Sequence, residues 1–98
     1  MAKAYWINTF REISDPDRLQ RYIALAGPAM RAAGGRFLAR GNPAAAFEFG
    51  TVTRTTLIEF PSVEAAVAAY HSVAYQEALA VLGDAAERDL RIIEAIDS

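Results

Sequence analysis

The sequence predicts an α+β domain whose elements follow one another as β-α-β-β-α-β. Three observations predict it. Runs such as Lys3 to Phe10 and Thr51 to Phe60 are rich in β-branched and aromatic residues and of strand length. Two other stretches repeat their apolar residues at helical spacing. Glycine, proline and serine clusters separate the runs, at Ser14-Asp15-Pro16, Gly34-Gly35, Gly41-Asn42-Pro43 and Pro61-Ser62. With 98 residues the chain, 1–98, is read as a single domain.

The first strand is expected over Lys3 to Phe10. Asp15 then caps a helix, because its carboxylate accepts from the free amides of the first turn, and Pro16 fits the first helical position. Leu19, Tyr22, Ile23, Ala26 and Met30 form the buried stripe of that helix. Pro28 removes a backbone bond, so a kink is expected near Gly27-Pro28, and Gly34-Gly35 supplies the left-handed end.

Arg36-Phe37-Leu38-Ala39-Arg40 reads as a second strand, charged enough for a sheet edge. Ala44 to Gly50 is a loop or irregular hairpin arm, and Thr51 to Phe60 is the third strand. Ser62 caps a helix that ends near His71-Ser72. A further helical piece runs from Ala74 to Leu82, and Leu90 to Ile96 is the last strand.

This order is the ferredoxin-like arrangement, in which helices cover one face of a four-stranded antiparallel sheet. A sheet with one face in water alternates cleanly between apolar and polar residues. These strands do not. Tyr5 and Ile7 fall on one side of the first strand and Trp6 and Phe10 on the other; Ile92 and Ile93 divide the last strand in the same way. A second copy of the chain is the simplest cover for the second face, so a homodimer is expected, with Trp6 or Ile93 at its interface. The 53% hydrophobic content agrees with that need for burial.

Composition excludes several functions. The net charge of −2 argues against a nucleic-acid partner. Cysteine is absent and His71 is the one histidine, so no disulfide framework, thiolate nucleophile or metal cluster is expected. There is no dinucleotide fingerprint or phosphate-binding loop, and no cofactor is expected. No run of about 18 apolar residues offers a membrane span. With no apolar leader after Met1, a cytoplasmic location is expected.

Four segments carry a resemblance: Ala4-Tyr5-Trp6-Ile7, the run from Gly34 to Gly41, Ile58-Glu59-Phe60-Pro61-Ser62, and the run from Ala69 to Ala78 that contains Tyr70-His71-Ser72 and Tyr75. In order and spacing the chain resembles the small bacterial family DUF1330, of the dimeric α/β-barrel group. The resemblance implies two ferredoxin-like subunits packed sheet to sheet. Other families of that architecture include cofactor-free monooxygenases and lactone isomerases, while DUF1330 lends no reaction of its own. Two departures stand out: an arginine frequent in the family is Leu82 here, and an Arg-Gly-Gly turn is Arg40-Gly41-Asn42.

His71 is the one side chain that ordinarily titrates near neutrality and lies in the matched Tyr-His-Ser run, which makes it the candidate general base. Its alternative role is to complement the carboxy-terminal end of a helix. Glu59, among apolar neighbours, is a second catalytic candidate or else a strand-end residue paired with a cation. Arg40 and Arg54 suit an anionic substrate or a cross-strand carboxylate. Trp6, Tyr22 and Tyr75 offer aromatic walls with polar tips, suited to a pocket, a core or an interface. Three functions are therefore open: a dimer that binds a small organic molecule, a cofactor-free isomerase or monooxygenase acting on a small aromatic or lactone-type compound, and a structural or regulatory dimer without ligand.

Overall fold

A computed structural model describes residues 2–96. Its elements are β1 (Ala4–Ile13), α1 (Pro16–Ala32), β2 (Arg36–Gly41), β3 (Thr55–Phe60), α2 (Val63–His71), α3 (Val73–Leu82) and β4 (Ala86–Glu94). The strands form one antiparallel sheet in the order β2-β3-β1-β4. This is the ferredoxin-like βαββαβ fold, with the second helix split into α2 and α3. The molecule is a slab only 16 Å thick along its short axis. That is room for one sheet and one helix layer, since such layers pack about 10 Å apart.

The inner face of the sheet is set by β1, where Ala4, Trp6, Asn8 and Phe10 alternate inward and are all buried. Ile58 and Phe60 of β3 join them, and the helices close the core with Leu19, Tyr22, Ala26, Met30, Tyr75, Ala78 and Leu82. Trp6 thus belongs to this core, whereas Ile93 lies on the outer face and is 56% exposed. Along that outer face Ile7 stands between Leu57 and Arg91, and Tyr5 between Glu59 and Ile93.

Capping follows local chemistry. Asp15 Oδ1 accepts from the Arg18 amide, and Ser62 Oγ from the Ala65 amide. Ser72 serves two helices: its hydroxyl donates to the Ala69 carbonyl at 2.8 Å and accepts from the Tyr75 amide at 3.3 Å. That double cap is why the helix breaks there and restarts at Val73, one residue before the expected Ala74.

Helix α1 runs through Pro28 to Ala32 and stops before Gly34-Gly35 as expected; Pro28 and Ala24 are both exposed, where water can take the place of the lost backbone partner. Two other boundaries differ from the sequence reading. β3 starts at Thr55 rather than Thr51; the β-branched residues before it lie in an irregular connection, where Val52 is exposed and Thr55 Oγ1 turns back to the Thr53 carbonyl. β4 begins at Ala86 rather than Leu90. Its charged start, Glu87-Arg88-Asp89, resembles a loop, but β1 extends to Ile13 through a bulge between Phe10 and Glu12 and pairs with it.

Gly35 shows how closely α1 approaches β3. A Cβ there would stand 2.9 Å from the Met30 carbonyl oxygen, 2.9 Å from the Phe60 ring and 3.0 Å from Ile58. Gly35→Ala is therefore expected to destabilise the fold by about 1–3 kcal/mol, as overpacking of a filled core does. Urea denaturation checks this, and an unchanged midpoint would contradict the packing described.

Candidate functional site

A cleft opens between α1 and the inner face of the sheet. Trp6, Asn8, Phe10, Thr56 and Ile58 form its sheet side; Tyr22, Ile23, Ala26, Gly27 and Met30 form its helix side; Tyr75 reaches in from α3. Phe37, Arg40 and Arg54 complete the rim. The cleft holds about 430 Å³ of space between atoms, open mouth included, of which about 40 Å³ admits the centre of a water-sized sphere. It is narrow and mostly apolar, with its polar groups at definite positions, as small-molecule sites are.

Beside the cleft lies a polar cluster drawn from three elements. Arg88 of β4 stands opposite Phe10 and so projects from the inner face of the sheet. Its Nη1 donates to the Tyr22 hydroxyl at 2.9 Å and its Nη2 to the Tyr75 hydroxyl at 3.0 Å. The two hydroxyls are 2.7 Å apart and share a hydrogen bond. The Tyr75 ring is held by Trp6, edge to face at 5.3 Å between centroids. Its place follows from the Ser72 cap, which starts α3 so that Tyr75 and Ala78 turn inward.

Burial, with Tyr22 adding to it, pushes the Tyr75 hydroxyl above its ordinary value, and the opposing pull of Arg88 does not offset them. Tyr75 is therefore a neutral hydrogen-bonding group at physiological pH and not a base. For Arg88, burial works against the charge, but the two tyrosines outweigh it and the pKa is raised. The proton count is informative. Each tyrosine oxygen accepts from Arg88, and one hydroxyl proton is used between them. The second hydroxyl proton has no acceptor in this cluster.

Asn8 is the other notable group. It occupies the centre of the inner face, between Thr56 and Leu90 in register, and is 4% exposed. Its Oδ1 is buried and has no hydrogen-bond partner on the protein.

Of the sequence candidates, Trp6, Tyr22, Tyr75 and Arg40 converge on this cleft, as does Arg54. His71 and Glu59 do not. His71 ends α2, is exposed, and packs its ring against Tyr70. Glu59 lies on the outer face of the sheet opposite Tyr5, with Lys3 Nζ 3.5 Å from its carboxylate. The sheet itself separates Glu59 from Tyr75, so a catalytic trio of His71, Glu59 and Tyr75 is not assembled in the chain. Among the described residues lining the cleft there is no imidazole or carboxylate. No group of three His, Cys, Asp or Glu stands ready to hold a metal ion among the described residues.

Sequence reasoning missed Arg88 and Asn8. Both interrupt an alternation that is otherwise apolar: Ala4-Trp6-Asn8-Phe10 in β1 and Ala86-Arg88-Leu90-Ile92 in β4. A polar residue at an inward position of a strand was the available signal, and Arg88 was hidden by placing the start of β4 four residues late.

The model of the family named "Domain of unknown function (DUF1330)" matches residues 3–96. The chain belongs to the DUF1330 family. No functionally curated protein matches the sequence. Among solved structures it is similar to RPA0582, a protein of unknown function from Rhodopseudomonas palustris. That match has 20% identity and a TM-score of 0.71, covering 99% of this chain and 85% of that one. It is similar to a dimeric ferredoxin-like protein of unknown function from Jannaschia sp. CCS1, at 14% identity and TM-score 0.76, covering 95% and 99% of the two chains. The hydroxynitrile lyase of Passiflora edulis is alike at 14% identity and TM-score 0.76, covering 99% and 96%. At such identities the likeness is one of fold. Among the described residues of this DUF1330 member, no helix is long and apolar enough to cross a membrane.

Two predictions follow from the cleft. Because the Tyr75 pKa is raised on folding, its contribution to stability is complete below the ordinary tyrosine value of about 10 and falls as pH rises above it. Tyr75→Phe should thus lose less stability than wild type between neutral and strongly alkaline pH. Urea midpoints across that range test this, and parallel curves for the two proteins would contradict it. Asn8→Leu, which removes a buried acceptor without a partner, should raise stability by about 1 kcal/mol. A loss of stability on thermal and urea unfolding would mean that Asn8 is a structural residue.

Proposed function

We propose that the protein binds a small organic molecule in the cleft between α1 and the sheet, and does so as a homodimer joined through the outer sheet face. The observation that carries the binding reading is the convergence of apolar walls with Tyr22, Tyr75, Thr56, Arg40 and Arg54 around one cleft. Binding is favoured over proton-transfer catalysis because the cleft-lining residues described include no imidazole or carboxylate, and Tyr75 holds its proton.

The dimer reading rests on the outer face. Ile7, Leu57, Tyr5 and Ile93 cluster there without a covering layer, and Ile93 is more than half exposed. Apolar surface of this kind marks association sites. The Jannaschia protein, described as dimeric, shares the fold and supports a dimer here.

Trp6 is the single tryptophan and lines the cleft, so its emission reports on occupancy directly. One-ring organic compounds should change that emission saturably. Gly27 is part of the cleft wall, and a Cβ there would meet nothing nearer than Arg31 Nη1 at 3.5 Å. Gly27→Leu should therefore fold, fill the cleft and abolish the response; a response that persists would place binding elsewhere. For the dimer, sedimentation should give about twice the 10.6 kDa chain mass, and Ile93→Glu should give the monomer mass. A wild-type protein that sediments as a monomer at micromolar concentration would overturn the dimer.

A further inference from the structure

We infer that the ligand of this cleft is a small hydroxylated carboxylate: an apolar body with a hydroxyl at its buried end and an anionic group at the mouth. This rests on the reading of the cleft as a binding site and names the chemistry it selects.

The buried end is defined by Asn8 and the tyrosine pair. Asn8 is nine-tenths buried, on the cleft floor, with Oδ1 lacking a partner on the protein. Folding alone disfavours such a group, because a buried acceptor left unpaired costs stability that an apolar residue of the same size does not. Nearby, Tyr22 and Tyr75 keep one hydroxyl proton without an acceptor in their cluster. An acceptor and a donor together match a hydroxyl, which both gives and takes a hydrogen bond. A hydroxyl also satisfies the Asn8 amide whichever way its oxygen and nitrogen are turned.

The mouth has the opposite character. Arg40 and Arg54 lie on it, and Arg40 is exposed. Phe37 on the rim carries two guanidinium groups, with Arg31 at 5.1 Å and Arg40 at 5.2 Å from its ring centre. None of Arg31, Arg40 and Arg54 forms an ion pair among the described residues. Elsewhere Arg11, Arg18 and Arg91 each have an aspartate, while Arg21 and Arg36, away from the cleft, have none. Guanidinium groups gathered beside an apolar cleft favour a planar anion, which their forked donors fit. Between the two ends Trp6, Phe10, Met30 and Ile58 offer only hydrocarbon and ring surface. The narrow space excludes a nucleotide.

The test is calorimetric titration of the full chain, at neutral pH, with 4-hydroxybenzoate, benzoate, phenol and 4-hydroxybenzamidine. The hydroxy acid should bind about tenfold more tightly than benzoate or phenol, and the cationic twin should not bind. Asn8→Leu should remove the preference, so that the variant binds 4-hydroxybenzoate and benzoate equally. Arg40→Gln combined with Arg54→Gln should bring it down to that of phenol. Circular dichroism of each variant confirms that it is folded. Equal binding of phenol and 4-hydroxybenzoate, binding of the cation, or an Asn8→Leu variant that keeps its preference would overturn the ligand class. If such binding is still blocked by Gly27→Leu, the cleft stands as the site. If no compound binds and none alters Trp6 emission, the ligand class and the cleft reading fall together.

Discussion

A half-buried guanidinium group without a carboxylate partner stands beside the cleft and braces two of its lining tyrosines. Arg88 is fixed by two phenolic oxygens that come from different helices, so a single side chain ties β4 to both α1 and α3. Both partners are neutral hydroxyls, and Arg88 forms no ion pair among the described residues. The same bonds hold the Tyr22 and Tyr75 rings at a fixed separation, with Trp6 seated edge-on against Tyr75. These contacts fix the position of the two tyrosines that line this side of the cleft.

Such an arrangement costs stability. Asn8 at the centre of β1 and Arg88 at the start of β4 occupy inward positions that an apolar residue would fill at lower cost. Their neighbours are the usual core residues, Phe10, Ile58 and Phe60, packed closely enough that Gly35 has no room for a methyl group. A small domain has little stability to spare. Covering the outer sheet face with a second copy would restore part of it.

Much of this was legible in the sequence because its causes are local. The strand pattern of β1, the Asp15 and Ser62 caps and the Gly34-Gly35 break gave the element order. Apolar residues on both sides of the strands led to the expectation of a second covered face. Trp6, Tyr22, Tyr75 and Arg40 were singled out for their chemistry, and the fold brings all four to one cleft. What could not be read is how far β1 and β4 pair. The bulge at Arg11 lets the pairing run on to Ile13 and Ala86, so the charged start of β4 belongs to the strand, and Arg88, opposite Phe10, keeps the inward alternation of Leu90 and Ile92. His71 and Glu59 drew attention because of residue type alone; their positions, a helix end and the outer sheet face, depend on tertiary packing that residue type does not encode.

The most direct test is a double-mutant cycle between Arg88 and the tyrosine pair, measured by urea unfolding. The four proteins are wild type, Arg88→Met, the Tyr22→Phe and Tyr75→Phe double variant, and their combination. If the guanidinium and the two hydroxyls form one unit, the combined loss will fall short of the sum by about 1.5–3 kcal/mol, the range for hydrogen bonds to a charged group. Additivity within about 0.5 kcal/mol would show that Arg88 and the tyrosines act independently, and the cleft would then lack the support on which its chemistry depends.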